Sequence, residues 1–236
     1  MPTDHQIVIQ IVIHITMLPT PSRPTLLTPK QRMLNAYRGI ANDRPAVAPE
    51  LWIYYPAKMQ GVDMLDFWKK PFHLSLKEAF EFFGCEGWGC TGVHLPNPNL
   101  EVTTNQERPD PDTVITHTAI RTPRGTVTTT NHADRHEPGW VIERAVKDPV
   151  RDWPVQELIA FPDLANLDCS GLNQALQDVG ESMLLEVHIG NPFFDFYAEA
   201  REGGMETALF DFIDNEIWME KLQERYIDYS VRKVRA

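Results

Sequence analysis

The densest run of side chains able to hold a metal or move a proton is His132-Ala133-Asp134-Arg135-His136-Glu137. Imidazole and carboxylate groups together offer the donors a divalent metal takes. The run follows a strand-like segment and precedes Pro138-Gly139, so it reads as a loop. There, a spacing of four does not guarantee the shared face it would on a helix. His132 and His136 are the metal candidates, with a solvated loop as the competing reading. Arg121, Arg124 and Arg135 lie on or beside the same strand-like pair. Arg121 and Arg135 are candidates for binding an anionic ligand, because guanidinium forks take carboxylates bidentately. Cys85 and Cys90, with His94 nearby, make a partial metal set. A structural zinc site closes with four ligands, so the pair reads as two small residues packed at a turn.

A second group sits in Met183–Gly204, MLLEVHIGNPFFDFYAEAREGG. It reads as a strand, a Gly-Asn-Pro turn and a helix, the layout that places a site at a strand's C-terminal end. Glu186 and His188 share one strand face, with Val187 and Ile189 on the other. If the first face points inward, His188 can serve as acid, base or ligand near the mouth. Asn191 sits in the turn. Phe193 and Phe194 offer a platform for a flat tetrapyrrole or corrin, with core packing as the alternative. Asp195 suits a helix start. Trp52, Tyr54 and Tyr55 end an earlier strand, Ala46–Ile53, and line the same mouth.

The elements that must carry these groups are legible in part. Thr28-Pro29-Lys30-Gln31 opens a helix with a cap, a proline at the first position and a capping box. Gly39 ends it. Ser75-Leu76-Lys77-Glu78 is a second capping box, and Leu76, Ala79, Phe80 and Phe83 make a helical face. Gly84–Gly92 is a turn or a distorted strand. Leu100–Thr104, Thr113–Arg121 and Gly125–Thr130 are strand-like, the last two joined by Thr122-Pro123-Arg124-Gly125. They form a β-hairpin insertion over about residues 96–138. Asp148–Ala160 is linker and short helix, Gly171–Val179 a helix, and Met183–Ile189 a strand. Helices follow Pro192 and Gly204, and Asp214 caps a last helix over Asn215–Lys233.

The chain has 236 residues, 33 acidic and 22 basic, for a net charge of −11. That balance argues against broad nucleic-acid binding, which relies on Lys and Arg neutralising phosphates. Three cysteines suggest a reducing, cytoplasmic setting rather than a disulfide scaffold. The apolar run Ile7–Leu18 is too short to span a membrane and lacks the basic flank of a signal peptide. Residues 1–24 read as an extension outside the fold, and no membrane partner is expected.

Three segments together resemble the uroporphyrinogen decarboxylase superfamily, which includes cobalamin-dependent methyltransferases. They are Thr28–Pro45 (TPKQRMLNAYRGIANDRP), Gly139–Trp153 (GWVIERAVKDPVRDW) and Ile189–Gly204 (IGNPFFDFYAEAREGG). The resemblance spans most of Thr28–Ala236. It implies an α/β fold over residues 25–236, an incomplete (β/α)8 TIM-barrel-like domain with the β-hairpin insertion. It implies a tetrapyrrole-related carboxy-lyase, or a corrinoid-dependent methyltransferase that uses zinc and a corrinoid partner. It assigns the family's tyrosine to Tyr197, one residue off the pattern. The family places substrate-binding arginines in the loop after its first strand, where this chain has Trp52-Ile53-Tyr54-Tyr55-Pro56-Ala57-Lys58. The zinc ligands of the methyltransferases lie in a C-terminal half not represented here. The expectation is a chain inactive alone, completed by a missing C-terminal half or by homodimerisation, or else a non-catalytic half-barrel binding or assembly protein.

Overall fold

The computed structural model describes residues 27–236, so the Ile7–Leu18 run lies outside the described residues. The chain enters through α1 (Pro29–Tyr37). Thr28 Oγ1 accepts from the Gln31 N–H at 3.1 Å, and Gln31 Oε1 accepts from the Thr28 N–H at 3.2 Å. This is the reciprocal box the sequence spells out. α2 (Tyr54–Gln60), α3 (Met64–Phe67) and α4 (Phe72–Phe83) follow, then β1 (Gly87–Thr91). β2 (Glu101–Glu107), β3 (Thr113–Thr122), β4 (Gly125–Asp134) and β5 (Trp140–Glu143) make an antiparallel meander in sequence order. After it come α5 (Pro149–Ala160), α6 (Ser170–Val179), β6 (Met183–Val187), α7 (Phe193–Ala200), α8 (Gly204–Asp214) and α9 (Glu216–Arg235).

The architecture is mixed α/β with two separate sheets. β1 and β6 pair in parallel, Gly87 opposite Met183 through Thr91 opposite Val187. The other sheet is the four-stranded meander, and the described strands close no barrel. The meander adds a fourth strand, β5, to the three strand-like runs expected from the sequence. Its β3–β4 turn is the one foreseen: Thr122 Oγ1 accepts from the Arg124 N–H, and Gly125 takes φ of 136°.

Glycines decide β1. A Cβ on Gly87 would sit 2.6 Å from Phe80 Cδ2 and 2.8 Å from Met183 Cγ, and one on Gly89 would sit 3.0 Å from Leu76 Cδ1. The glycine-rich stretch is a strand because α4 packs too closely for side chains there. Conversely, Ala46–Ile53 forms no strand. Pro49 has no N–H to give a ladder, and Trp52 turns the chain with a left-handed φ of 43°. Ser75 is not a cap either: α4 already starts at Phe72 behind Pro71, and Ser75 Oγ is buried without a partner. Asp214 ends α8, and neither it nor Asn215 caps α9 through a side chain.

Two main cores result. One joins α4, α6, β1 and β6 through Leu76, Phe80, Val179 and Met183. The other seats the meander's Val127 against Trp153, Val155, Tyr197, Ala208 and Leu222 of the later helices. A smaller cluster holds α2 and α3 through Ile53, Ala57, Met64 and Phe67.

Glu86, fully buried just before β1, carries the polar link from β1 to α1 and the loop that follows it. It accepts from Arg32 Nη1 at 2.5 Å, from Arg44 Nη1 and Nη2 at 3.0 and 2.5 Å, and from the Val47 N–H at 2.8 Å. Burial pushes its carboxyl up, but the Arg44 guanidinium, the Val47 amide and Arg32 outweigh it and hold it below the usual range. Removing one partner of a buried ion pair costs about 3–5 kcal/mol. Glu86→Ala is expected to lower the unfolding free energy by about that much in urea melts. Because the folded carboxyl titrates below its unfolded value, the wild-type advantage is present above about pH 4.5 and fades as the pH falls through the folded pKa.

Candidate functional site

The largest question is which of the candidate groups the fold brings together. Tyr197 is fully buried among Trp153, Phe212 and Trp218. Its hydroxyl donates to Asp211 Oδ2 at 2.8 Å, and Arg201 Nε reaches the same oxygen at 2.6 Å. Burial, then the Asp211 carboxylate, push its pKa up, so the phenol stays protonated. His188 lies at the exposed end of β6, its N–H donating to the Thr91 carbonyl at 2.7 Å. Glu186, expected to share an inward face with it, instead meets α1, accepting from the Tyr37 hydroxyl at 2.9 Å.

The first-loop aromatics do not close a strand. Trp52 lies edge-on to Phe72, Tyr55 edge-on to Phe83, and Tyr54 donates to Glu137 at 2.8 Å. Tyr54 and Tyr55 open α2. Phe193 packs with Phe196, Phe212 and Tyr226, so it is core rather than platform. Asn191 is tied at both ends: its side-chain amide donates to Glu199 Oε1 at 2.7 Å, and its carbonyl accepts from the Tyr226 hydroxyl.

The arginine patch does not form. Arg121 and Arg135 stand at opposite ends of the β3–β4 hairpin. Arg121 is exposed and 3.9 Å from Glu101, whereas Arg135 pairs with Asp63 and Asp112 and ties the meander to α3. His132 to Asp134 belong to β4 rather than to a loop. His132 stacks on Trp140 at 4.0 Å, its register partner, and its Nδ1 is buried without a partner. His136 is exposed beyond the strand. Among the described residues, no three His, Cys, Asp or Glu side chains are grouped as a metal site.

What the fold does build is a groove of about 330 Å³ between the meander and the helices. Ile120, Thr129, Asn131 and Val141 form its sheet wall, Gln156 and Ile159 of α5 one flank, and Phe196 and Glu199 of α7 the other. Arg144, just past β5, lines it, and its guanidinium lies against Gly204 at the start of α8. Glu199 links the groove to the turn after β6 through Asn191. A cleft of about 440 Å³ beside Trp153 and Trp218 is larger. Its only lining carboxylate, Asp211, is already engaged by Tyr197 and Arg201. The pocket at Trp52 and Cys90 holds only about 70 Å³, well under the roughly 300 Å³ at which small-molecule sites begin.

No protein-family model, curated protein or solved structure matches this chain. The site therefore rests on its own geometry. Arg144 is the groove residue that sequence reasoning passed over. It lies inside Gly139–Trp153, one of the three segments that carry the resemblance, and the signal was the apolar Trp140–Ile142 run with an arginine two residues on.

Tyr197→Phe tests the reading of Tyr197 as a packing residue. It leaves Asp211 paired with Arg201 but removes one buried bond, so a loss of about 1–2 kcal/mol is expected by urea denaturation. Ligand binding in the groove should be unchanged. A selective loss of binding with intact stability would assign the phenol to the site.

Proposed function

We propose that this chain is a small-molecule binding module whose site is the groove between the meander and α7. The ligand class is the one the uroporphyrinogen decarboxylase resemblance implies, a tetrapyrrole or corrin. One juxtaposition supports this reading. β1 and β6 run parallel, α6 leads into β6, and the groove is linked through Glu199 to the turn at the C-terminal end of β6. In parallel α/β architectures ligands bind at that end of the strands. The finer part of the proposal is that β1, α6 and β6 form a strand–helix–strand wall of a (β/α)8-type barrel, with the meander inserted between its strands. The groove is at the lower end of small-molecule sites, roughly 300–1,000 Å³. It suits an edge or side arm of a macrocycle rather than the whole ring. Neither His188 nor Tyr197 lines it, so the reading is binding rather than carboxy-lyase or zinc-dependent methyl transfer by this chain alone.

The test is an absorbance titration with tetrakis(4-carboxyphenyl)porphyrin and with cobinamide. Saturable binding of one of them is expected, with a Kd of about 1–100 μM. Thr129→Trp, which fills the sheet wall, should weaken it about tenfold or more with an unchanged melting curve. No saturable shift with either compound would sink the proposal.

A second reading, assembly with a second copy or with a separate barrel half, has its own observation. Among the described residues, β1 and β6 each pair on one side only. Met205, Leu209 and Ile213 also stand exposed at spacings of four along α8. Unpaired edges and apolar rows of this kind favour association. Sedimentation velocity should show a dimer that Ile213→Glu dissociates. A wild-type monomer at every concentration would remove this reading.

A further inference from the structure

Four described arginines are buried or partly buried: Arg32, Arg135, Arg144 and Arg201. Three are paired, Arg32 with Asp43 and Glu86, Arg135 with Asp63 and Asp112, and Arg201 with Asp211. Arg144 is the exception. Its backbone N–H donates to Glu202 Oε2 at 2.6 Å. Among the described residues its guanidinium meets no carboxylate and no acceptor, and its Nε is buried without a partner. A buried donor left unpaired is destabilising by about 1–3 kcal/mol, more when it is charged. A fold that keeps such a group beside a groove gains whenever an acceptor arrives there.

We infer that Arg144 is the anchor for a carboxylate of the groove's ligand, an amphipathic organic acid. This rests on the groove being the ligand site. A guanidinium matches a carboxylate with two parallel hydrogen bonds. Along the groove, Asn131 and Gln156 are neutral and Ile159 and Phe196 apolar, so the part of the ligand held there beside the carboxylate is uncharged and partly hydrophobic. A phosphate dianion fits less well, because one guanidinium would face two charges in a chain of net charge −11. Glu199, the groove's own carboxylate, is held at 2.7 Å by the Asn191 amide and is not paired with Arg144. It would repel an acid bound at its end of the groove and so directs the carboxylate toward Arg144.

The experiment uses the full chain and two soluble probes, 4-fluorophenylacetate and 4-fluorophenylacetamide, followed by fluorine NMR. The two differ in the charge that Arg144 would read. The wild-type protein is expected to bind the acid at least tenfold more tightly than the amide. Arg144→Gln should erase that preference, and Arg144→Lys should restore part of it. Melting curves confirm that the variants are folded, and the comparison of acid with amide on the wild-type chain needs no variant. Equal binding of acid and amide by the wild-type chain, or an acid preference that survives Arg144→Gln, overturns the assignment. If Thr129→Trp leaves acid binding intact, the ligand site lies elsewhere and the groove reading fails with it. If Thr129→Trp blocks both probes while Arg144→Gln changes nothing, only the role of Arg144 is lost.

Discussion

A carboxylate with no exposure to water organises this molecule. Glu86 cannot stay ionised just before β1 unless cations and amides surround it, since an isolated buried charge is too costly to keep. Satisfying it recruits Arg32 from α1, Arg44 from the following loop and the Val47 amide. The Glu86 N–H in turn donates to the Val47 carbonyl at 2.9 Å. The segment 43–47 is thereby held beside β1 without becoming a strand. Arg32 is held in its turn by Asp43 at 2.8 Å. Moving any one of these groups leaves another charged and unpaired, so α1, the loop and β1 keep one mutual arrangement.

The later half of the chain is organised by the same rule with different parts. Asp211 fixes Tyr197 and Arg201, and Arg201 also donates to the Lys147 carbonyl at 2.8 Å. This brings α7 and α8 onto the segment that leaves the meander. Asp152, buried at the start of α5, accepts from the backbone N–H groups of Lys147 and Asp148. The groove lies between these fixed pieces, so its walls are set by networks that are themselves complete. Arg144 stands out against that background.

Much of the secondary structure was legible because its causes are local. The Thr28 box, the Thr122–Gly125 turn and the amphipathic helices need only near neighbours in sequence. The rest was set by backbone constraints and distant partners that the apolar pattern does not carry. Gly84–Gly92 reads as a turn or a distorted strand, and the choice of strand is intelligible only once α4 lies against its glycines. Ala46–Ile53 looked like a strand because its apolar residues are visible in sequence, whereas Pro49 and the backward turn at Trp52 outweigh them. The candidate site suffered most. Tyr197 and Phe193 have the right types for chemistry, but aromatic groups satisfy a core equally well, and their neighbours here are other rings. Arg121 and Arg135 are close in the list of residues and far apart along a hairpin. Arg144 offered only a faint signal, because the lack of a partner is a property of the fold and not of the residue.

The pairing of β1 with β6 has a consequence for how the chain reaches this state. The two strands meet only after everything from Gly87 to Met183, including a complete four-stranded sheet, has been looped out between them. The meander joins neighbours through short turns, so its contacts form at small entropic expense, whereas the parallel pair must close a long loop before any of its bonds can form. Contact order therefore favours ordering of the meander ahead of the pair it interrupts. Its ordering shortens the effective loop, because a folded meander brings its entry and exit closer than a free chain would.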